Sequence, residues 1–183
     1  MSGDVTVISG PTAVGKGTVV QALRARHPHV WVSVSATTRP ARPSEVDGVH
    51  YCFVGNDAFD ELIASDGLLE WATVHGRDRY GTPAAPVRAA VERGERVILE
   101  IDLQGARQVR QRLPGARLVF IAPPSWDELV NRLVGRGTET SEQRERRLRT
   151  AQIELAAADE FDHVVVNDDL GRAVDELVSL LGL

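Results

Sequence analysis

The chain is short of several things, and each shortage removes a class of protein. Its one cysteine, Cys52, allows no internal disulfide and fits a reducing compartment. No apolar run reaches the roughly 18 residues of a membrane-spanning helix, and no apolar leader stretch precedes Val5. The expectation is a soluble, cytoplasmic chain with no membrane partner. A net charge of −5 argues against the broad basic face of a nucleic-acid binder. Tyrosine occurs twice, at Tyr51 and Tyr80, and lysine once, at Lys16, beside 20 arginines. What is present suffices for a packed core: 43% of the 183 residues are apolar, and the length predicts one domain.

The solitary lysine stands in Ser9-Gly10-Pro11-Thr12-Ala13-Val14-Gly15-Lys16-Gly17-Thr18. An apolar β-branched run, Val5 to Ile8, precedes this stretch, and a helical pattern follows it. Strand, glycine-rich turn, Gly-Lys and helix is the order of a phosphate-binding loop. The glycines let backbone N–H groups turn toward a phosphate, the helix N-terminus adds its dipole, and Lys16 adds a compact positive charge. The usual hydroxyl after the lysine is missing: Gly17 stands there, with Thr18 one place later.

Beyond the loop, a helix to Arg26 stops at His27-Pro28, and Val30 to Val34 reads as a strand. Ser35 to Pro43 reads as loop. Tyr51 to Val54 is a short strand, Asp57 to Ala64 a helix and Leu68 to Val74 a strand. His75 to Tyr80 is turn-like. Thr82-Pro83 opens a helix closed near Gly94. Strands at Val97–Asp102, Arg117–Ile121 and His163–Val166 alternate with helices at Gln104–Leu113, Ser125–Val134, Thr140–Phe161 and Leu170–Leu181. Such alternation predicts an α/β fold with a parallel sheet covered by helices on both faces. Residues 35–82 break the rhythm and read as a small inserted lobe, leaving 1–34 and 83–183 as the core.

The inserted lobe concentrates anion-binding chemistry. Arg39 and Arg42 sit on a proline-stiffened loop, where two forked guanidiniums can hold a phosphate bidentately. Both tyrosines fall here and offer hydroxyls to phosphate oxygens. Glu70 lies mid-strand among apolar neighbours, and Asp102 ends a buried strand; a carboxylate in such places needs a partner. Guanine presents two adjacent donors that one carboxylate accepts together, so Glu70 and Asp102 point to a guanine base, with Ser35 or Thr82 as donor to its carbonyl. A third group, Arg132 and Arg136 on one helix face with Arg147 on the next helix, surrounds the glycine-flexed stretch 135–140 and suits a lid of about 135–150 that closes over a transferring phosphoryl group. Arg144, Arg146 and Arg149 read as a solvated face paired with Glu142 and Glu145.

Taken in order, these stretches resemble the guanylate kinase family over nearly the whole chain. The carriers are the loop Gly10 to Thr18; Ser33 to Pro43 followed by Glu45-Val46-Asp47-Gly48-Val49-His50-Tyr51; Leu69 to Ala72; Tyr80-Gly81-Thr82; Ile101 to Gly105; Arg136 to Thr140; and Val166 to Asp169. The resemblance implies a P-loop nucleoside monophosphate kinase that transfers the ATP γ-phosphoryl group to GMP, with Mg²⁺. It implies that Ser35, Arg39, Arg42, Tyr51, Glu70, Tyr80, Thr82 and Asp102 bind GMP. Gly10, Pro11, Thr12, Ala13, Val14, Gly15, Lys16, Gly17 and Thr18 would bind the ATP phosphates, with Arg132 and Arg136, and Asn167 near adenine. Lys16, Arg39, Arg132, Arg136 and Arg147 would be catalytic, and Mg²⁺ would sit near Thr18 and Asp102 through waters. Three departures stand out: Gly17 for Ser or Thr, a loop at 76–80 one residue longer than the family form, and Thr82 for Ser. A non-catalytic interaction module of the same fold, or a kinase for another small acceptor such as AMP or a sugar phosphate, is the alternative.

Overall fold

The computed structural model describes residues 5–74, 77–134 and 141–183, without the side chains of 141 and 143. Its centre is a five-stranded sheet of β1 (Val5–Ser9), β2 (Val30–Val32), β7 (Arg96–Glu100), β8 (Arg117–Ala122) and β9 (His163–Val166) in the order β2-β7-β1-β8-β9, every pair parallel. All five residues of β1 are buried, as a strand covered on both faces must be. Helices α1 (Lys16–Arg26), α5 (Trp126–Val134), α6 (Ser141–Ala156) and α7 (Leu170–Leu181) cover one face around Ile8, Val19, Leu23, Val119 and Leu177. Helices α3 (Ala84–Glu92) and α4 (Leu103–Arg112) cover the other around Val7, Val87, Leu99 and Val109.

The second sheet has four strands in the order β4-β3-β6-β5: β3 (Ala36–Thr37), β4 (Cys52–Phe53), β5 (Leu68–Val74) and β6 (Asp78–Pro83). Helix α2 (Asn56–Ala64) closes it with the fully buried Phe59. This sheet corrects two sequence expectations. Ser35 to Pro43 is not all loop, because Ala36 and Thr37 pair with Gly81 and Tyr80. The turn-like stretch before Tyr80 enters a strand at Asp78, pairing Val74, Thr73 and Ala72 with Asp78, Arg79 and Tyr80. Strand β3 is specified by partners about forty positions away, the start of β6 by its antiparallel pairing with β5, and neither carries an alternating apolar pattern of its own.

Other boundaries move less. The helix expected from Thr82-Pro83 begins at Ala84, since Thr82 and Pro83 complete β6. Asp102 lies beyond the end of β7 and caps α4, accepting the Gly105 amide at 2.8 Å. The long last-but-one helix ends at Ala156, and a 3-10 turn at Ala158–Glu160 follows. Its expected start at Thr140 lies outside the described residues. Ser125 caps α5, with the Glu128 amide donating to Ser125 Oγ at 3.2 Å.

The two sheets are tied together through the edge of β5. Gln108 of α4 accepts from the Trp71 amide at 3.1 Å and donates to the Trp71 carbonyl at 2.7 Å. One glutamine thus satisfies an edge residue as a neighbouring strand would.

Candidate active site

The loop after β1 lies at the carboxyl edge of the parallel sheet. The chain leaves β1 in one direction toward β2 and β7 and later crosses to β8, so this edge is a topological switch point, where open α/β sheets bind ligands. Gly10 has φ +147° and Gly15 φ +98°, backbone that side chains rarely adopt. A Cβ at Gly10 would run into the Ile121 carbonyl, and one at Gly15 would lie 2.7 Å from Asn167 Nδ2. Ala13 also takes a left-handed conformation, φ +68°. The loop is braced from behind: the Val14 carbonyl accepts from Asn167 Nδ2 at 2.8 Å and from Arg132 at 3.2 Å.

Lys16 opens α1 and curls back over the loop, donating to the Gly10 carbonyl at 2.5 Å and to the Pro11 carbonyl at 3.3 Å. Burial pushes its pKa below the usual lysine value, while Glu154, Glu100 and Asp102 pull it back up. Glu154 of α6 accepts the Thr12 backbone N–H at 3.2 Å. A Cβ on Gly17 would meet Glu100 Oε1 at 3.4 Å, so an acidic group lies where the missing hydroxyl would point. Burial raises the Glu100 pKa, and Lys16 opposes that rise.

Across from the loop, the second sheet gathers Arg39, Tyr51 and Tyr80. Tyr51 and Tyr80 meet edge to face with ring centres 5.8 Å apart. Arg39 Nε donates to the Tyr80 hydroxyl at 3.0 Å, and the guanidinium lies 5.4 Å from the centre of the Tyr51 ring. Burial raises the Tyr51 pKa, with the negative charge of Glu100 among the lesser causes; the tyrosine therefore feels the phosphate-loop side of the molecule. The longer stretch before Tyr80 does not displace it from β6, where it pairs with Ala72.

Sequence reasoning missed Glu45. Its carboxylate accepts from both terminal nitrogens of Arg39, at 2.9 and 2.8 Å, and from the Arg42 amide at 2.7 Å. These bonds hold its pKa down to about 2, the Arg39 bonds first. With Tyr80 and the Pro40 carbonyl also engaged, Arg39 uses four N–H groups of the five a guanidinium has. The expected free fork of Arg39 is thus filled in this conformation. Arg42 is exposed, and its guanidinium makes no hydrogen bond among the described residues.

Glu70 is 4% exposed, a buried carboxylate rather than a solvent-facing one. It accepts from Thr82 Oγ1 at 2.6 Å across the β5–β6 pair. Burial raises its pKa from 4.5 to about 7; the Thr82 bond lowers it and the charge of Asp102 raises it further. Thr82, expected as a possible donor to a guanine carbonyl, gives its hydroxyl to Glu70 here and aims that carboxylate. The α4 backbone packs closely against Glu70 at Gly105, where a Cβ would stand 2.5 Å from Glu70 Oε2. Asp102 binds the Gly105 amide through Oδ1, which places the two carboxylates side by side. Ser35 is half-buried nearby in the chain, its carbonyl accepting from the Cys52 amide.

The remaining expected residues fall differently. Asn167 turns its side chain to the loop carbonyl rather than outward, and Arg132 bonds the Val14 and Asn167 carbonyls. Arg147 lies on α6, and Arg136 lies outside the described residues. Missed beside Glu45 were Glu100, whose place in an otherwise apolar strand was a usable signal, and Glu154, for which the helix sequence offers none. A cavity of about 650 Å³ between α3 and α4, lined by Val5, Leu69, Val87 and Leu113, opens by the start of β1, away from the loop.

A parallel sheet with a phosphate loop at its switch point, faced by a second sheet rich in anion-binding side chains, defines a P-loop kinase of a small acceptor. The guanylate kinase family model matches residues 2–182. A curated guanylate kinase of Cutibacterium acnes is 62% identical over 98% of this chain and 90% of its own, and that of Nocardia farcinica 60% identical over 97% and 93%. Among solved structures, guanylate kinase from Anaplasma phagocytophilum superposes with a TM-score of 0.78 at 30% identity, covering 99% of this chain and 86% of that one. A shikimate kinase from Bacteroides thetaiotaomicron, TM-score 0.50 at 18% identity over 98% of each chain, shares the fold alone. The chain belongs to the guanylate kinase family.

Proposed function

We propose that the protein transfers the γ-phosphoryl group of ATP to GMP, giving ADP and GDP, and that its residues divide the work as follows. The loop 10–18 with Lys16 holds the donor phosphates. Arg42, Tyr51 and Tyr80, with Arg39 locked beside them, receive the acceptor phosphate. Glu70 and Asp102 read the guanine donors, and Thr82 aims Glu70. Residues 35–82 are the acceptor lobe, and 135–150, with Arg136 and Arg147, the lid. The single observation that carries this reading is Glu70, a buried carboxylate beside a second one, with no cation bonded to it among the described residues. Such a group is costly unless a ligand supplies its donors, and guanine supplies two.

Magnesium fits the residues present. Among the described residues no cluster of three or more His, Cys, Asp or Glu is arranged to enclose a metal, while Glu100 and Asp102 offer hard oxygen atoms close to Lys16, and Thr18 brings a hydroxyl one residue after Gly17. Mg²⁺ keeps most of its waters and binds mainly to phosphates, so Asp102, Glu100 and Thr18 would hold it through water. When bound, the ion neutralises charge on the donor phosphates.

The acceptor phosphate is already ionised near neutral pH, so no protein base has to generate the nucleophile. Catalysis then rests on placing it in line with the donor and on stabilising charge at fixed N–H groups and cations. The non-catalytic alternative is not favoured, since the relatives carry the enzyme's name over nearly their full length. A coupled ADP-release assay with ATP and Mg²⁺ against GMP, dGMP, AMP, CMP, UMP and dTMP tests the reading. Turnover far higher with GMP than with AMP is expected; none with any acceptor, while GMP still binds, would overturn it.

A further inference from the structure

Glu154 has no part in the roles assigned above, yet its carboxylate is the one acidic side chain, among the described residues, that is hydrogen-bonded to a phosphate-loop amide. It accepts from Thr12 N at 3.2 Å and is the leading charge acting on Lys16, ahead of Glu100 and Asp102. A backbone N–H and an ammonium at the lip of such a loop are the two donors that a terminal phosphate would engage. The carboxylate therefore lies where an anionic ligand group belongs.

Its placement is dictated by α6. Positions 147, 151 and 154 follow one another at i, i+4 and i+7 and share one helix face. Ala151 on that face is fully buried in the main core, which orients the stripe inward and brings Glu154 over Thr12. Burial pushes the Glu154 pKa up, and Lys16 and the Thr12 amide only oppose that rise. The carboxylate is thus poorly solvated and incompletely compensated, and a better anion can displace it.

Resting on the proposed use of the loop for a nucleoside triphosphate, we propose that Glu154 is a specificity-determining residue of the donor site: its carboxylate, bonded to the Thr12 amide, competes for the terminal-phosphate position of the loop, and a triphosphate binds only by displacing it. A diphosphate, seated deeper against the α1 N-terminus, meets it less. Glu154 thereby narrows the affinity difference between ATP and ADP and favours exchange of one for the other.

Calorimetric titration of ATP, ADP and inorganic tripolyphosphate, each with excess Mg²⁺, into wild type and Glu154→Gln tests this. The glutamine keeps an acceptor for Thr12 and loses the charge. Removing one like charge a few ångströms from the terminal phosphate should tighten ATP and tripolyphosphate by about tenfold and ADP by less than about twofold. Glu154→Ala, which removes charge and acceptor together, should move ATP the same way. Weaker or unchanged ATP binding in both variants, or equal changes for ATP and ADP, overturns the proposal. Failure of wild type to bind any of the three would instead overturn the donor-loop reading itself.

Discussion

Replacing Glu70 by glutamine should make the protein more stable and nearly blind to guanine, and both effects follow from one number. Burial raises the Glu70 pKa from 4.5 to about 7. Because the folded value lies above the unfolded one, the stability this group contributes is full below about pH 4.5 and lost as pH rises through about 7. Above that, holding the carboxylate ionised in its pocket costs roughly 3 kcal/mol. Glutamine escapes this penalty but weakens the bond from Thr82 by about 1 kcal/mol. The net gain at pH 8 is then about 2 kcal/mol, or a melting temperature higher by roughly 4–8 °C for a chain of this length. At pH 5 the variant should lose most of that advantage.

Binding moves the other way. Guanine needs the ionised form, so with a pKa near 7 the competent fraction falls from about nine-tenths at pH 8 to about one-tenth at pH 6. The GMP dissociation constant should therefore rise about tenfold over that range in wild type. The GMP phosphate titrates near pH 6 on its own, and Glu70→Gln retains that step while lacking the step near 7. The variant should bind GMP at least about 10²-fold more weakly at pH 8, since an amide N–H then faces a guanine N–H. Calorimetric GMP titration at pH 6, 7 and 8, with urea unfolding at pH 5 and 8, supplies both readouts. A wild-type profile that parallels the variant's, or a variant that still prefers GMP to AMP as strongly as wild type, would refute the reasoning.

Lys16→Met should lower kcat by at least about 10²-fold while the GMP dissociation constant, measured without ATP, stays within about twofold. Gly105→Ala places a methyl group 2.5 Å from Glu70 Oε2; the carboxylate must shift, and steady-state kinetics should show the GMP KM raised about tenfold with the ATP KM unchanged. Asn167→Ala removes the 2.8 Å bond to the Val14 carbonyl and should cost about 1 kcal/mol in urea unfolding, together with a higher ATP KM as the loop loses its brace.

Much of this was legible in the residues because the signals are local. A β-branched run, glycines at two of the loop's positive-φ positions, Gly10 and Gly15, and a lysine at the helix start announce the phosphate loop, since the backbone at those glycines admits few other residues. An apolar stretch likewise announced β5, whose observed bounds, Leu68–Val74, are those expected, and alternation of strand and helix announced the parallel sheet. The one lysine needed no partner to be noticed; its rarity sufficed.

Tertiary structure decided whatever depends on partners far along the chain. Strand β3 exists because Ala36 and Thr37 pair with Gly81 and Tyr80, and no local pattern encodes a pairing across some forty residues; the polar start of β6 is a strand because it pairs back on β5. The sequence placed Arg39 on a phosphate-binding loop but could not say that Glu45 fills its fork. It placed Thr82 near a base but not its hydroxyl on Glu70. Glu154 was one acid among several on a charged helix until α6 packed Ala151 into the core and swung that carboxylate over Thr12. Residue type sets which chemistry a side chain can perform; where it points, and what charge it meets there, is a property of elements packed together, and it was at these crossings that the expected site changed.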